Sequence, residues 1–509
     1  MVDQAQSQPR RTYSAGHAVR RVYAFGLPKR VIFTVFPSIL LGVVITLVGF
    51  VWVGIGWAVA SIVAVVPLTV RFAGKTGYEL LLLEWAWQRQ RRSGRHILRA
   101  GPLSQAPGGR TRVPGVAAGT EMWWGTDKLG RRFGMIRTHS TGQYTAVLRC
   151  TPRGTAGMDM RLVDQMVAEW GQFLATVGEP GDLAAIVTVA ETIPETGARL
   201  RTEMARIEHP QAPQEVRIWL AQAGAGEVAD RTGFQLHMRM GVTWYARTEA
   251  KRRDPMVMVA ELAERLPQMC AALARSQVVA EPMSDHQIAA TVRRCYDARE
   301  EVEAAVEELM RHRGAPPAGE TVDWLDAGPL AADEPDRGVY AHEGNYSRTW
   351  VMNAGPAGFH DETVLRPLLQ GRTDIRRKRI ALIQRPLPPG EASESVHADL
   401  LSSSAQVSTA RGLASSRGLL KLAESKQARD EEARGAGVVD SSLLVTATAD
   451  SLAELQSYFD ITRDLGTAAR RLRLRPAWKQ QSAAFAAALG IGVLLPDHAT
   501  VSPALKGDE

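Results

Sequence analysis

The feature that most constrains this chain is a run near its N-terminus, from Val31 to Val70, that contains no charged residue. As a single helix the run would reach about 60 Å, which is about twice the thickness of a hydrocarbon core of about 30 Å. Glycines and a tryptophan near its middle favour a tight turn there. The run therefore predicts two membrane-spanning helices, one from Val31 to Gly49 and one from Val53 to Val70.

The distribution of charge predicts how such a hairpin would be oriented. Basic residues crowd both flanks of the run, whereas the turn between the two predicted spans carries no charge. Residues 1–112 hold 15 Lys and Arg against three acidic residues, so the net charge of +7 belongs to this part of the chain. The positive-inside rule then places both termini in the cytoplasm. We therefore expect a multi-pass protein of the cytoplasmic (inner) membrane, with the lipid bilayer as a partner and no direct nucleic-acid binding.

The rest of the chain alternates between segments with strand-like and helix-like patterns, separated by stretches rich in glycine and proline. This predicts a two-helix transmembrane hairpin followed by cytoplasmic α+β domains of ferredoxin-like strand–helix units. Whether those units form one domain or two is left open. The predicted organisation is a basic segment at 1–30, the hairpin at 31–70, a juxtamembrane helix at 71–99, a linker at 100–120, one α+β unit at 121–313, a connection at 314–338, a second unit at 339–496 with a helical arm at 393–434, and a tail at 497–509.

The sequence contains no motif that identifies an active site. Gly74–Thr76 resembles the end of a phosphate-binding loop, but Thr69 stands where that loop needs its first glycine. No pair of histidines has the spacing of a zinc site, and the three cysteines are far apart. We therefore predict no catalytic, cofactor-binding or metal-binding residue and no enzyme activity. The basic run from Ile375 to Ile380 is interpreted as a charged loop entering a strand, with an acidic or lipid partner as the alternative.

Two groups of segments resemble subunits of secretion systems. Gly26–Arg30, the hairpin and the leucine-rich segment Gly77–Arg92 resemble the PrgI-type small membrane subunit of conjugative type IV secretion systems. Leu443–Leu455, together with Arg475–Phe485 leading to Leu494–Pro496, is similar to the region that precedes the motor domain in VirB-type secretion ATPases. The chain stops where that family continues into its nucleotide-binding domain, so ATP hydrolysis is not carried over.

The combination resembles an actinobacterial family of conjugation-like membrane proteins in which the ATPase is a separate chain. This resemblance implies a membrane-anchored scaffold of a type IV secretion-like apparatus that docks a separate VirB-type secretion ATPase. Other membrane subunits would complete a multi-subunit complex. One alternative is an EccE-like subunit of a type VII secretion complex, which also has two N-terminal spans. A second alternative, from a different class, is a membrane-tethered cytoplasmic enzyme or receptor.

Overall fold

The computed structural model describes residues 29–498 apart from short gaps. The residues outside the description are 1–28, 49–50, 70, 73–74, 103, 105, 156, 196–203, 205–206, 208, 210, 230–232, 312–320, 357, 359, 409–414, 434–436 and 499–509. The chain divides into two compact units. Within the described residues, the larger unit comprises residues 97–495 and the smaller one residues 29–96 with 496–498.

The smaller unit begins with a pair of antiparallel helices, α1 (Lys29–Leu47) and α2 (Val51–Thr69). The hydroxyl groups of Ser38 and Ser61 are hydrogen-bonded at 2.9 Å, and the Trp57 indole N–H donates to the Ser38 carbonyl at 3.0 Å. These polar contacts fix how the two helices lie against each other. The unit continues with an antiparallel pair of short strands and a helix, namely β1 (Arg71–Phe72), β2 (Lys75–Thr76) and α3 (Gly77–Arg92).

The structure corrects the interpretation of this helix pair. A membrane-spanning helix is predominantly apolar along its length, whereas α1 begins with two basic residues and contains Pro37. Among the residues that the structure describes, no helix combines the length and the apolar character needed to cross a membrane. The predicted spans bounded by Val31, Gly49, Val53 and Val70 are therefore wrong, and so is the predicted multi-pass location in the cytoplasmic (inner) membrane. Gly49 and Val70 themselves lie outside the described residues.

The larger unit is built on one sheet of 13 strands. Its spatial order is β3-β10-β11-β12-β14-β13-β7-β8-β6-β5-β4, with β9 pairing on β6 and β15 on β12, and every pair is antiparallel. The strands are β3 (Leu98–Arg99), β4 (Thr120–Thr126), β5 (Arg132–Thr138), β6 (Gln143–Pro152), β7 (Leu183–Pro194), β8 (Phe234–Tyr245), β9 (Val278–Pro282), β10 (Ala331–Asp336), β11 (Val339–His342), β12 (Asn345–Ala354), β13 (Arg377–Pro386), β14 (Val439–Ala449) and β15 (Arg473–Pro476).

Helices cover both faces of this sheet. They are α4 (Met160–Gly178), α5 (Gln214–Ala229), α6 (Glu249–Arg253), α7 (Pro255–Arg275), α8 (Asp285–Tyr296), α9 (Glu300–Arg311), α10 (Arg366–Leu369), α11 (Pro389–Ser408), α12 (Ser416–Ala433), α13 (Leu452–Ala468) and α14 (Gln481–Ala487). Several begin at side chains that cap the free backbone N–H groups of a first turn. Asp254 accepts from Met256 N at α7, Ser451 accepts from Glu454 N at α13, and Ser284 forms a capping box with Gln287 at α8.

The continuous sheet contradicts the predicted fold class. β7 and β13 pair antiparallel from Ile186 to Thr192 and from Lys378 to Gln384, so the strands of the two predicted units are hydrogen-bonded neighbours at the centre of one sheet. Small ferredoxin-like units would each keep a separate sheet with its own edges. The described part of the chain instead has one large antiparallel sheet, and the prediction of a transmembrane hairpin followed by ferredoxin-like units is wrong.

The two halves of the sheet have the same topology. Each half has a three-stranded meander, a helix, a strand, a helical insertion, a second strand, a long helix, a short strand and a final helix. In the first half these are β4-β5-β6, α4, β7, α5, β8, α7, β9 and α8. In the second half they are β10-β11-β12, α10, β13, α11 with α12, β14, α13, β15 and α14. The larger unit is therefore an internal duplication.

The strand registers agree with a pseudo-two-fold axis between the halves. The axis passes where Val189 of β7 pairs with Ala381 of β13. Four residues of the first half lie side by side across β7, β8, β6 and β9. Four residues of the second half lie at the corresponding positions of β13, β14, β12 and β15. The rows are Thr188-Met240-Leu148-Pro282 and Ile380-Val445-Trp350-Pro476. Both rows end at a proline.

Side chains and turns repeat as well. The hydroxyl groups of Thr145 and Thr243 are 3.0 Å apart across β6 and β8. The corresponding groups of Ser347 and Thr448, across β12 and β14, are 2.7 Å apart. The backbone enters β9 and β15 through corresponding residues that both have a φ of 60°, Gln277 and Arg471.

The three largest hydrophobic cores of the described residues follow from this arrangement. On one face of the sheet, α4 and α7 pack on the first half, while α10 and α13 pack on the second half. On the other face, α8 of the first half and α14 of the second contribute to one shared core. There the rings of Tyr296 and Phe485 lie 5.1 Å apart. The shared core and the central strand pair make the two halves parts of one folded body.

Helical insertions occupy corresponding places in the two halves. Adjacent antiparallel strands can be joined by a two-residue turn, yet residues 195–233 connect β7 to β8 and residues 387–438 connect β13 to β14. The second insertion includes the whole of the predicted arm at 393–434. Its described helices, α11 and α12, pack on each other, with the Ser403 and Ser425 hydroxyl groups 3.2 Å apart. Both insertions expose large apolar side chains, namely Val216, Ile218 and Trp219 on α5 and Leu401, Leu419 and Leu420 on α11 and α12.

Candidate functional site

The segments Leu443–Leu455 and Arg475–Phe485 fold into one block around β12. β14, from the first segment, pairs with one edge of β12, and β15, from the second, pairs with the other. Gln481, at the start of α14, fixes this arrangement because its side-chain carbonyl accepts from Thr349 N at 2.8 Å and its amide donates to Thr349 O at 3.3 Å. Segments that are separate in sequence are thus contiguous in space. We call this region, β12 with β14, α13, β15 and α14, the C-terminal block.

One end of the C-terminal block carries exposed apolar side chains. β14 and β15 both run antiparallel to β12, so their carboxyl ends point the same way. Leu452 follows the end of β14 and is 44% exposed, and Trp478 follows the end of β15 and is 41% exposed. The Trp478 ring is positioned by Gly338, since a Cβ at that glycine would clash with it. Partly buried tryptophans with a fixed ring are typical anchors of protein interfaces.

A buried network of ions lies on the shared face, where β7, β8 and β13 meet. The carboxylate of Glu191 accepts from three guanidinium groups, those of Arg239 at 2.9 Å, Arg294 at 3.2 Å and Arg379 at 3.3 Å. All four side chains are at most 5% exposed. Burial raises the pKa of Glu191, but the three arginines outweigh burial and hold the pKa well below its ordinary value. Glu191 is therefore ionised inside the protein.

The network continues to the helix α9. Glu303 accepts from Arg294 and from Arg377, each at 3.2 Å. Burial raises the pKa of Glu303, and the two arginines offset only part of this effect. Since Arg377 and Arg379 belong to β13 and the two glutamates belong to the first half, these ion pairs cross the junction between the halves. Their arrangement serves to hold the halves together in one register.

Cys295 lies beside the same network. Its thiol is buried and lies 3.6 Å from Glu191 Oε1, to which it donates. Burial raises the pKa of Cys295 more strongly than the surrounding arginines lower it. The thiol is therefore protonated, and the arrangement does not activate it as a nucleophile.

Three residues next to the network have the types and distances of metal ligands. Atoms of His237, Glu303 and Glu307 lie within 4.8 Å of one another, and an imidazole with two carboxylates is a donor set that zinc accepts. The pKa of His237 falls to about 3, first through burial and then through the charge of Arg294. The same positive field would repel a divalent cation, and Glu303 is already held by two arginines. We therefore assign these residues to the ion network and not to a metal centre.

The structure places the sequence motifs as follows. Lys75 and Thr76, from the segment like the end of a phosphate loop, form β2, which pairs with β1. The basic run at 375–380 was expected to be a charged loop entering a strand, yet most of it belongs to the central strand β13. Lys378 and Arg379 are 2% and 4% exposed. The ion network was missed because its members are charged residues scattered over five elements, and no local pattern marks them as neighbours.

Comparison of the chain with known proteins adds no assignment, because no family model and no curated protein matches it. The candidate functional site therefore rests on the geometry of the C-terminal block and its two exposed apolar residues.

Proposed function

We propose that this protein is a structural assembly component of a type IV secretion-like apparatus, and that it docks a separate VirB-type secretion ATPase. The observation that carries the proposal is the C-terminal block. Its two segments similar to the non-motor region of those ATPases pair with opposite edges of β12 and end in the exposed Leu452 and Trp478. The functional surface is this end of the block, and the role of the chain is to bind a motor and position it.

The contact is argued from the chemistry of the exposed side chains. Tryptophan is enriched among residues that dominate binding energy, and a ring already held by its own protein loses little entropy on binding. Trp478 is such a residue, and its ring already packs against Gly338, which leaves room for it. Apolar side chains on α11 and α12 offer additional contact area on the same half of the sheet. Holding a motor at a fixed place raises its effective concentration there without any catalysis by the holder.

The test is a binding measurement with the purified full chain and a VirB-type secretion ATPase from the same source, with and without nucleotide. We expect a complex, and we expect Trp478→Ala to weaken it at least about tenfold, as for an interface anchor. Trp124→Ala is the matched control, because Trp124 is 53% exposed but lies in the first half. The proposal fails if no ATPase co-purifies, even after cross-linking.

A further inference from the structure

A cleft opens on one face of the second half of the sheet. It measures about 290 Å³ and lies between α10, with the turn before it, and the end of α13. Its lining includes Asp361, Thr363, Arg366, Gln370 and Arg470. The internal duplication explains the opening, because α10 has four residues where the corresponding helix of the first half, α4, has 19. The short helix leaves part of this face uncovered.

On the same face of the first half, α4 and α7 are joined by an ion pair. There Arg275, at the end of α7, lies 3.5 Å from Glu169 of the long helix α4. In the second half, Arg470 follows the end of α13, but the residue across the cleft is Arg366, which is also basic. Among the described residues, neither guanidinium group has a hydrogen bond or an ion pair. Two like charges thus face one opening, and an anion between them would turn repulsion into attraction.

The remaining charges at the cleft support an anionic ligand. The Asp361 carboxylate lines it, but its Oδ1 already accepts from Thr363 N at 3.1 Å and from Thr363 Oγ1 at 2.6 Å. Beside the cleft, Lys378 Nζ donates to the Gln370 carbonyl at 2.7 Å. The charged residues of the lining are thus two arginines and one carboxylate. Arg470 also has a φ of 54°, a left-handed conformation that non-glycine residues adopt at some cost.

We propose that this cleft binds a small phosphate-type anion between Arg366 and Arg470. A planar guanidinium group presents paired N–H donors that match two oxygens of one phosphate. The volume accommodates phosphate or pyrophosphate, and the phosphate groups of a nucleotide offer the same chemistry. This site is separate from the docking surface at Leu452 and Trp478, and it does not depend on the proposed function.

The test is calorimetric titration of the full chain with inorganic pyrophosphate, and separately with ADP and with adenosine. We expect saturable binding of pyrophosphate that weakens about tenfold or more in Arg366→Gln and in Arg470→Gln, as for loss of a charge-assisted contact. Arg463→Gln is the matched control, because Arg463 is an exposed arginine of α13 that pairs with Asp460 at 2.9 Å. Thermal melts of the three variants without ligand check that the fold is retained, which is expected for exposed side chains.

The outcomes separate the possible sources of the phosphate group. If ADP binds more tightly than pyrophosphate and adenosine competes weakly with ADP, the ligand of the cleft is a nucleotide. Equal binding of ADP and pyrophosphate, with no effect of adenosine, identifies the free anion. The proposal is overturned if pyrophosphate does not bind saturably at millimolar concentrations, or if Arg366→Gln and Arg470→Gln bind it as well as the wild type and Arg463→Gln do.

Discussion

Glu191 is the residue on which the junction of the two halves depends. It is the only acceptor shared by Arg239, Arg294 and Arg379 among the described residues, and Arg379 comes from the opposite half. A buried ion pair adds little net stability compared with apolar residues of the same size, but removing one partner leaves the others charged and unpaired. Here the removal of one carboxylate would take the ion pair from Arg239 and Arg379 and leave Arg294 with Glu303 alone.

We therefore predict that Glu191→Gln lowers the free energy of unfolding by about 3–5 kcal/mol, the cost found when one partner of a buried ion pair is removed. Urea unfolding of the purified chain measures this quantity. Glu249→Gln is the control, because Glu249 forms an exposed i,i+4 pair with Arg253 at 2.5 Å and such pairs contribute about 0.5 kcal/mol or less. A loss below about 1 kcal/mol in Glu191→Gln would show that the network is not structural.

His342 gives the stability a defined dependence on pH. Its ring is buried, with Nδ1 2.6 Å from the Tyr296 carbonyl and Nε2 2.7 Å from Ser347 Oγ. Burial lowers the pKa of His342 to about 4, whereas an exposed histidine in the unfolded chain has a pKa of about 6.5. Between these values the unfolded state binds more protons, so stability is complete above about pH 6.5 and falls as the pH approaches 4.

From this one residue we predict that the free energy of unfolding decreases by about 1 kcal/mol between pH 7 and pH 5.5. His237, with a pKa of about 3, acts in the same direction. The measurement is urea unfolding at both pH values for the wild type and for His342→Gln, and the quantity of interest is the difference between their pH dependences. A variant that loses as much stability as the wild type on acidification would contradict the assignment to His342.

At the scale of elements, the helical insertions contribute less to the hydrophobic cores than the strands of the sheet do. The base of the second insertion is fixed, because Leu387 N donates to Val438 O at 2.9 Å and a Cβ at Gly437 would meet Ala175 of α4. Beyond that base, α11 and α12 pack mainly on each other and leave Leu401, Leu419 and Leu420 exposed. The insertion is therefore much longer than the turn that joining β13 to β14 requires.

We predict that the larger unit still folds when residues 389–436 are replaced by Asn-Gly. The reason is that Pro386 and Val439 already pair at the ends of β13 and β14, and a short turn suffices to join antiparallel strands. Circular dichroism and a thermal melt of the shortened chain measure the outcome, with one cooperative transition expected. Loss of that transition would mean that α11 and α12 contribute to the core. If the transition is retained, the same variant can be used in the binding test of the proposed function.

The positions of most elements could be predicted from the sequence. The alternating pattern at 233–246 and the amphipathic pattern at 256–276 correspond to β8 (Phe234–Tyr245) and α7 (Pro255–Arg275). Residues 285–313 have the pattern of one helix in the sequence, but the structure has two, because α8 ends at Tyr296 and α9 begins at Glu300. Between them, Asp297 accepts from both Arg293 and Arg299 and stabilises the break. These side-chain contacts are local, but hydrophobic periodicity does not report them.

The pairing of the elements could not be predicted, because it depends on contacts between residues far apart in the chain. The register of Val189 against Ala381 is set by cores on both faces of the sheet. Corresponding positions of the two halves hold different residues, such as Leu148 and Trp350, so the duplication leaves no obvious repeat in the sequence. The candidate docking residues lay within the segments that drew the resemblance, but the exposure of Trp478 is a property of the fold.

At the scale of the whole molecule, the duplication makes a prediction about how the larger unit folds. The halves share the core between α8 and α14, and they also share the β7–β13 pair and the ion pairs of Glu191 and Glu303. A separated half would expose its side of that core and the unpaired edge of its central strand, and exposed edges of this kind favour aggregation. The duplication therefore resembles a dimer whose two subunits have become one chain.

We predict that residues 97–313 and residues 314–495 do not fold cooperatively when each is produced alone, and that they form a folded 1:1 complex when produced together. The physical reason is that neither fragment can bury the shared core without the other. Co-purification through a tag on one fragment, followed by a thermal melt, measures the result against the intact chain. Glu191→Gln in the first fragment should reduce the yield of the complex, since it removes the carboxylate that receives Arg379 from the second. Two fragments that each unfold in a sharp transition as monomers would show instead that the halves are independent domains joined at a shared edge.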